Sequence, residues 1–371
     1  MNDIPLSTFK QEFDWARKHL TRCLAAVDQL PDLTGIRLAC SMHLDLKMAP
    51  LVEGLIGKGA EVFLSPCNPT TVQNDMVEFC QQLGAQTHAW RDMSPDDWEQ
   101  SFLKALAWQP THLCEMGADL SYHYHKQPGD LVIQGSLEAT GSGITRLNQF
   151  TPQYPIFNWD DLPVKEGLHN RHMVGLTAWH TFFQTTRLTL HEKRVAVIGY
   201  GLVGQGVAAA AKAYGGQVTI VEKDRARILQ AKYDGWPVAD LSDIAQDVDV
   251  IATATGAKQV VTREHIQALP DNAFLLNVGH VAEEIDLAFL NEQKKVNALP
   301  YVDGYNINGK TIYLLADGSM LNLTAGYGDS LNAFDVTLAV LVSGIKHLIE
   351  QSATTEPGLY LLPKEAWDPV L

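Results

Sequence analysis

This sequence predicts an α/β protein made of two doubly wound parallel-sheet domains. Three observations predict it. Short apolar runs rich in Val, Ile and Leu alternate with amphipathic stretches of helical length along most of the chain. One such run, 195–198, leads into Gly199, Gly201 and Gly204, the spacing G-x-G-x-x-G. The next apolar run, 218–221, ends on an acid, Glu222, about twenty residues after the first glycine.

Taken in order, residues 8–30 read as one amphipathic helix ended by Pro31. GIRLACSMHL (35–44) reads as strand and loop, and APLVEGLIGKGA (49–60) as a helix closing on glycine. EVFLSPCNP (61–69) is a strand running into a loop, and DMVEFCQQLGA (75–85) is a helix. THLCEMGADL (111–120) and GDLVIQGSLEATGSG (129–143) repeat the pattern. Ligands of such sheets lie at the carboxyl ends of the strands. The loops at His43, at Cys67 and Asn68, at Met116 and Gly117, and at Thr140 and Gly141 are therefore expected to line one cleft. His123, Tyr124 and His125 read as a polar strand or loop, and no metal site is predicted.

A second domain opens with the glycine run. Gly199 permits a tight turn, Gly201 lets backbone approach a pyrophosphate, and Gly204 lets the helix pack on the strand. The small-residue run 207–213 reads as that helix, and the helix start offers N–H groups and a dipole that favour phosphate. Glu222 can accept hydrogen bonds from both ribose hydroxyls and repels a 2′-phosphate, which selects NAD over NADP. VDVIATATG, NAFLLNVGH and TIYLLADGSMLNL continue this Rossmann unit, expected over 176–330. An apolar helix, DSLNAFDVTLAVLVSGIKHLIEQ, follows. The last stretch, GLYLLPKEAWDPVL, packs back on the first domain, which thus comprises 1–175 plus 331–371. Single crossings near 170–178 and 328–336 suit a hinged enzyme that closes on substrate.

Composition narrows the partners. The 371 residues suffice for two cores, and a net charge of −15 argues against nucleic acid or an anionic membrane. The N-terminus is amphipathic and carries acids, so it does not read as a secretion signal. Cys23, Cys40, Cys67, Cys80 and Cys114 are odd in number and widely spaced, as suits reduced thiols in the cytoplasm.

The chain resembles the S-adenosylhomocysteine hydrolase family over nearly its whole length. The resemblance rests on His43 in CSMHLDLKMA, on Cys67, Asn68 and Gln73 in SPCNPTTVQND, and on GYGLVGQG at 199–206. It continues through TATG at 253–256, NVGH at 277–280, VDGYNINGKTIYLLADGSMLNL at 302–323 and YLLPKE at 360–365. It implies an NAD-dependent enzyme that reversibly oxidises a ribose hydroxyl of a nucleoside thioether and eliminates the thiol. It implies Gly199, Gly201, Gly204 and Gly206 at the phosphates, with Leu202, Val203 and Thr255 in the cofactor set. Glu222 falls at the ribose, and Gly279, His280 and Asn322 at the nicotinamide end. It further implies His43, Lys165, Asn170 and His280 as catalytic residues, and a homodimer or homotetramer.

Other family positions differ here. The family's catalytic aspartate is Met116, and its substrate glutamate aligns with Ala139, one place from Glu138. The aspartate four residues after the catalytic lysine is His169, and a cysteine soon after is Val174. The family's histidine in GHPS is Asp329, and the threonine and glutamate that read the adenine edge are Asp45 and Lys47. The family's C-terminal tail, which completes a neighbour's NAD site, has no counterpart before Leu371. Asp45, Lys47, Cys67, Asn68, Met116, Glu138, His169 and Asp329 are accordingly the expected substrate residues. Three readings stay open: a divergent nucleoside-thioether enzyme, an NAD-dependent oxidoreductase on another hydroxylated molecule, and a non-catalytic NAD-binding regulatory homologue. Lys47 has donors only, so on the first reading a 6-oxopurine suits it better than adenine.

Overall fold

The computed structural model describes residues 6–127 and 129–371. They fall into two compact units: the first runs to Lys165 and resumes over Leu331–Leu371, and the second is Glu166–Ser330.

The first unit holds seven strands: β1 (Arg37–Met42), β2 (Glu61–Pro66), β3 (Gln86–Thr87), β4 (His112–Glu115), β5 (Gly135–Glu138), β6 (Pro155–Asn158) and, from the end of the chain, Gly358–Leu361. Their order across the sheet is Gly358–Leu361, β6, β5, β4, β1, β2, β3, and every pairing is parallel. Near-continuous apolar runs such as Arg37–Met42, buried from the second residue on, are what a sheet covered on both faces requires. Strand order reverses between β1 and β4, so a crevice opens where those two strands end.

Two sequence expectations need correction in this unit. Residues 8–30 form two helices, Leu6–His19 and Thr21–Asp28, because the second has its own cap. The carboxylate of Asp335 accepts from the backbone N–H groups of Arg22 and Cys23 at 2.9 and 2.8 Å. Those donors are orphans of a helix start, and one buried acid satisfies both. His123, Tyr124 and His125 lie in the helix Asp119–Lys126, where the ring of His123 stacks on Phe102. The helix Leu331–Gln351 is long and apolar enough to cross a membrane by composition, yet its middle, Leu338 through Ile345, is buried in the core of this unit.

The second unit holds β7 (Arg194–Ile198), β8 (Gln217–Val221), β9 (Val250–Thr253), β10 (Phe274–Asn277), β11 (Lys294–Leu299), β12 (Val302–Ile307) and β13 (Lys310–Leu315), ordered 11-12-13-10-9-7-8. The strand Gly358–Leu361 is then β14. Strands β8, β7, β9, β10 and β13 are parallel, with the reversal of order between β7 and β9. One edge of this sheet departs from the parallel pattern, where β11 and β12 pair antiparallel. The cause is legible locally. Asn308 and Gly309 take φ of 54° and 83°, the two-residue hairpin turn that Asn-Gly favours.

Candidate functional site

In the first unit the expected loops do meet, each at the carboxyl end of a parallel strand. His43 follows β1, Cys67 and Asn68 follow β2, Met116 follows β4 and Thr140 follows β5. His43 Nδ1 lies 2.9 Å from Thr71 Oγ1, and that hydroxyl donates its own proton to Asn68 O at 2.8 Å. Nδ1 is therefore the protonated nitrogen, and Nε2 is the acceptor. Asn68 shapes this loop, its Oδ1 accepting from Thr70 N and Thr70 Oγ1. Burial pushes the Cys67 thiol well above its usual range, with Asp119, Glu138 and Asp45 adding to the shift. It therefore stays a thiol rather than a nucleophilic thiolate.

The loop after His43 carries a buried ion pair. Lys47 Nζ donates to Asp45 Oδ2 at 2.8 Å, and Asp45 Oδ1 accepts from Lys47 N at 2.9 Å. Lys47 is 5% exposed and Asp45 7%, so the lysine does not simply face solvent. Phe334 places its ring 5.6 Å from the ammonium. Gln73 fixes the loop by accepting from Leu46 N and by donating its own backbone N–H to Leu44 O.

Lys165 Nζ donates to Asp160 Oδ1 at 2.6 Å, with side chains 13% and 11% exposed. Asp160 is a site residue that the sequence reading missed, as is Asn158, whose Oδ1 accepts from Asp160 N at 2.8 Å. The available signal was position: NWDD begins at the carboxyl end of β6, immediately upstream of the lysine. Met116 is partly buried and packs against the core of this unit.

Glu138, expected at the substrate, is instead an internal brace. It is fully buried and accepts from Gly117 N, Ala118 N, Thr140 N and Thr140 Oγ1. It thereby ties the loop after β4 to the loop after β5. Glu115 stands opposite it on β4 and accepts from Ser121 N and Ser121 Oγ. Burial pushes Glu115 up to about 7, against the hydrogen bonds from Ser121. Burial, with the neighbouring Glu115, pushes Glu138 up to about 8. Both are raised above the unfolded value near 4.5, so their contribution to stability is whole below that pH and is lost as pH rises through 7 to 8. At about 1.4 kcal/mol per pKa unit, the loss amounts to a few kcal/mol for each carboxyl group. The unfolding midpoint should therefore fall between pH 5 and 9, and Glu115→Gln should flatten that fall. A midpoint flat over this range in the wild type would contradict the assignment.

In the second unit the glycine run adopts the form its spacing predicts. Gly199 has φ 98° and ends β7, and Gly201 caps the twelve-residue helix Leu202–Ala213. A Cβ on Gly204 would meet Gly199 O at 2.0 Å, and one on Gly206 would meet Arg171 O at 1.8 Å. Glu222 accepts from Tyr200 N, Lys223 N and Asp224 N. Burial opposes its ionisation, but these N–H groups and Arg227 outweigh it and hold the carboxyl below its usual range. An ionised carboxylate at the end of β8 is the acceptor a ribose diol needs.

Thr255 and Gly256, after β9, donate three hydrogen bonds to the fully buried Glu284: from Thr255 N, Thr255 Oγ1 and Gly256 N. Asn277 Nδ2 reaches the carbonyls of Gly279, Val281 and Gly318, and Gly279 N donates back to Asn277 Oδ1. Glu284 and Asn277 were also missed as site residues. They hold the backbone of the loops that follow β9 and β10. His280 is exposed, and Asn322 is 4% exposed. The Oδ1 of Asn322 is buried with no hydrogen-bond partner among the described residues. This orphaned oxygen and the glycine cradle fit NAD.

His169 and Asp329 are brought together: Nδ1 lies 3.0 Å from Oδ2. Asn170 sits in the same π-helical segment, Lys165–Met173, and is half-buried.

Residues 10–134 match the family model described as S-adenosyl-L-homocysteine hydrolase. Residues 179–328 match the model described as the NAD binding domain of that hydrolase. The S-inosyl-L-homocysteine hydrolase of Methanopyrus kandleri is 31% identical over 95% of this chain and 86% of that protein. The protein of the same name from Methanococcus maripaludis is 31% identical over 95% and 88%. The adenosylhomocysteinase of Archaeoglobus fulgidus is 30% identical over 96% and 90%.

Proposed function

This chain belongs to the S-adenosyl-L-homocysteine hydrolase family, with NAD as its cofactor, and on that premise we propose that it hydrolyses a 6-oxopurine nucleoside thioether of the S-inosylhomocysteine type. The observation that carries this reading is the buried Lys47–Asp45 pair. The family reads the adenine edge from these two positions with a threonine and a glutamate. An ammonium offers donors and no acceptor, so at the position of that glutamate it cannot serve a 6-amino group. A 6-oxopurine in the same orientation presents an acceptor at position 6 and a donor at N1. Lys47 pairs with the first and Asp45 with the second. The names of the Methanopyrus and Methanococcus relatives support the same base.

On this reading the first unit holds the nucleoside and the second holds NAD. When bound, NAD supplies reversible oxidation of a ribose carbon, which acidifies its neighbour. His43 Nε2 and Lys165 hold and move protons, with Thr71 fixing the imidazole tautomer and Asp160 fixing the ammonium. Gly199, Gly201, Gly204, Glu222, Thr255, Gly279 and Asn322 hold the cofactor. The homodimer or homotetramer that the resemblance implies, and a cytoplasmic location, belong to the same reading.

Thiol release from S-inosyl- and S-adenosylhomocysteine, measured side by side, tests it. One polar group left unpaired in a closed site costs about 1–3 kcal/mol, so kcat/KM should favour the inosyl compound by about 5–150-fold. Lys47→Gln, whose amide both donates and accepts, should narrow that ratio. Equal or better use of the adenosyl compound by the wild type would overturn the proposal.

A further inference from the structure

The thioether proposed above ends in an α-amino acid, with an ammonium and a carboxylate on one carbon. Asp119 and Arg146 put the two opposite charges side by side in the first unit. Asp119 opens the helix Asp119–Lys126, just past Met116 and the end of β4. Arg146 lies in the last turn of the helix Gly141–Leu147, which Thr140 caps just past the end of β5. Both therefore stand on loop-and-helix steps at the carboxyl ends of neighbouring strands, and Glu138 ties the two loops together. Asp119 and Asp45 both add to the rise that burial gives the Cys67 thiol. The two acids thus act on one thiol at the end of β2, Asp45 from the loop that reads the base.

Arg146 Nη1 donates to Asp119 Oδ1, with side chains 38% and 12% exposed. Neither side chain makes another hydrogen bond among the described residues. Asp119 keeps Oδ2 as a second acceptor, and Arg146 keeps the N–H donors of Nε and Nη2. Oδ2 faces the loop after β4, since a Cβ added to Gly117 would lie 3.4 Å from it. The Arg146 guanidinium rests 5.0 Å from the centre of the Tyr122 ring, and Lys126 brings a second cation 4.2 Å from the same ring. Burial pushes Asp119 above its ordinary range, and Arg146 offsets only part of that rise. One cation is therefore too few for this carboxylate, and an ammonium at Oδ2 would make up the rest.

We propose that Asp119 and Arg146 recognise the amino-acid end of the thioether and so set which thioethers the enzyme accepts. Asp119 Oδ2 accepts from the substrate ammonium, and Arg146 donates from Nε and Nη2 to the substrate carboxylate. The proposal rests on the nucleoside-thioether reading above. Neither residue takes part in the bond changes, so both determine specificity rather than catalyse. The arrangement selects a zwitterion. A plain alkyl thioether offers neither charge, and a thioether bearing a carboxylate alone sets a like charge against Asp119 without an ammonium between them.

The test has two arms on the full-length protein as purified. The first compares S-inosylhomocysteine with 5′-methylthioinosine, which shares the nucleoside and lacks the amino acid. Arg146→Gln should raise KM for the homocysteine compound by at least about tenfold with kcat little changed, and should leave kcat/KM for the methylthio compound near the wild-type value. Where Arg146→Gln melts early, Asp119→Asn, equal in shape, carries the same comparison. The second arm titrates L-homocysteine into protein held with inosine. The wild type should bind it at least about tenfold more tightly than Arg146→Gln. An equal loss on both thioethers, or equal affinity for L-homocysteine in wild type and variant, would overturn the assignment. If the wild type turns over neither thioether, the substrate reading fails, and the titration still decides whether this pair takes an amino acid.

Discussion

Replacing Lys165 with methionine is expected to lower turnover of the preferred thioether by about 10²–10⁴-fold, the usual worth of one positioned acid–base group. The length of the side chain is kept and its ammonium is lost. Asp160 is held by that ammonium at 2.6 Å and is itself only 11% exposed, so the change also leaves a carboxylate short of its counter-charge. Removing one partner of a buried pair costs about 3–5 kcal/mol. Some solvent reaches this pair, and a cost of about 1–3 kcal/mol is more fitting. The two effects separate cleanly. Asp160→Asn together with Lys165→Met should recover stability without recovering rate. Thiol release and thermal melts of the single and double variants measure both. A Lys165→Met enzyme within threefold of wild type would remove the lysine from the chemistry.

Gly204→Ala should abolish useful NAD binding and destabilise the second unit. The added carbon would lie 2.0 Å from Gly199 O and 2.8 Å from Gly199 C, so the clash is with backbone that ends a buried strand. Relief requires moving the helix Leu202–Ala213 away from β7, with an overpacking cost of about 1–3 kcal/mol or more. Gly201→Ala is the informative contrast. Its Cβ would meet only Arg227 Nη1, at 3.7 Å, and Gly201 has an ordinary φ of −70°. That variant should melt like the wild type and still bind NAD poorly, because the methyl occupies the space of a pyrophosphate oxygen. Titration with NAD after removal of bound nucleotide, paired with a melt, separates the two. Equal NAD affinity in Gly204→Ala and wild type would refute this account of the cradle.

The contrast between these glycines shows which parts of the site the sequence could carry. The roles of Gly199, Gly201 and Gly204 follow from spacing alone, because turn, helix start and packing are local. Strand ends were equally legible, and with them the loops of His43, Cys67, Met116 and Thr140. What stayed hidden were partners far apart in the chain. Glu284 grips Thr255 across 29 residues, and Asp335 caps a helix 312 residues away. Glu138 was visible as an acid beside the expected position, but its four donors turn it inward, which no periodicity predicts. His169 and Asp329 looked like two separate losses until their 3.0 Å separation made them one pair. The antiparallel edge of the second sheet, by contrast, was announced by Asn308 and Gly309, and its turn chemistry went unread.

The capping of Thr21–Asp28 by Asp335 has a consequence for how the molecule is made. During synthesis the first unit emerges from the ribosome without Asp335, without the helix Leu331–Gln351 that fills its core, and without β14. The residues of the second unit, Glu166–Ser330, are then translated as one uninterrupted run and can close by themselves. The nascent chain therefore carries a finished cofactor domain beside an unfinished first sheet, whose apolar strands wait for the last forty or so residues to be delivered. During that interval the nascent chain exposes apolar surface that the finished first unit buries.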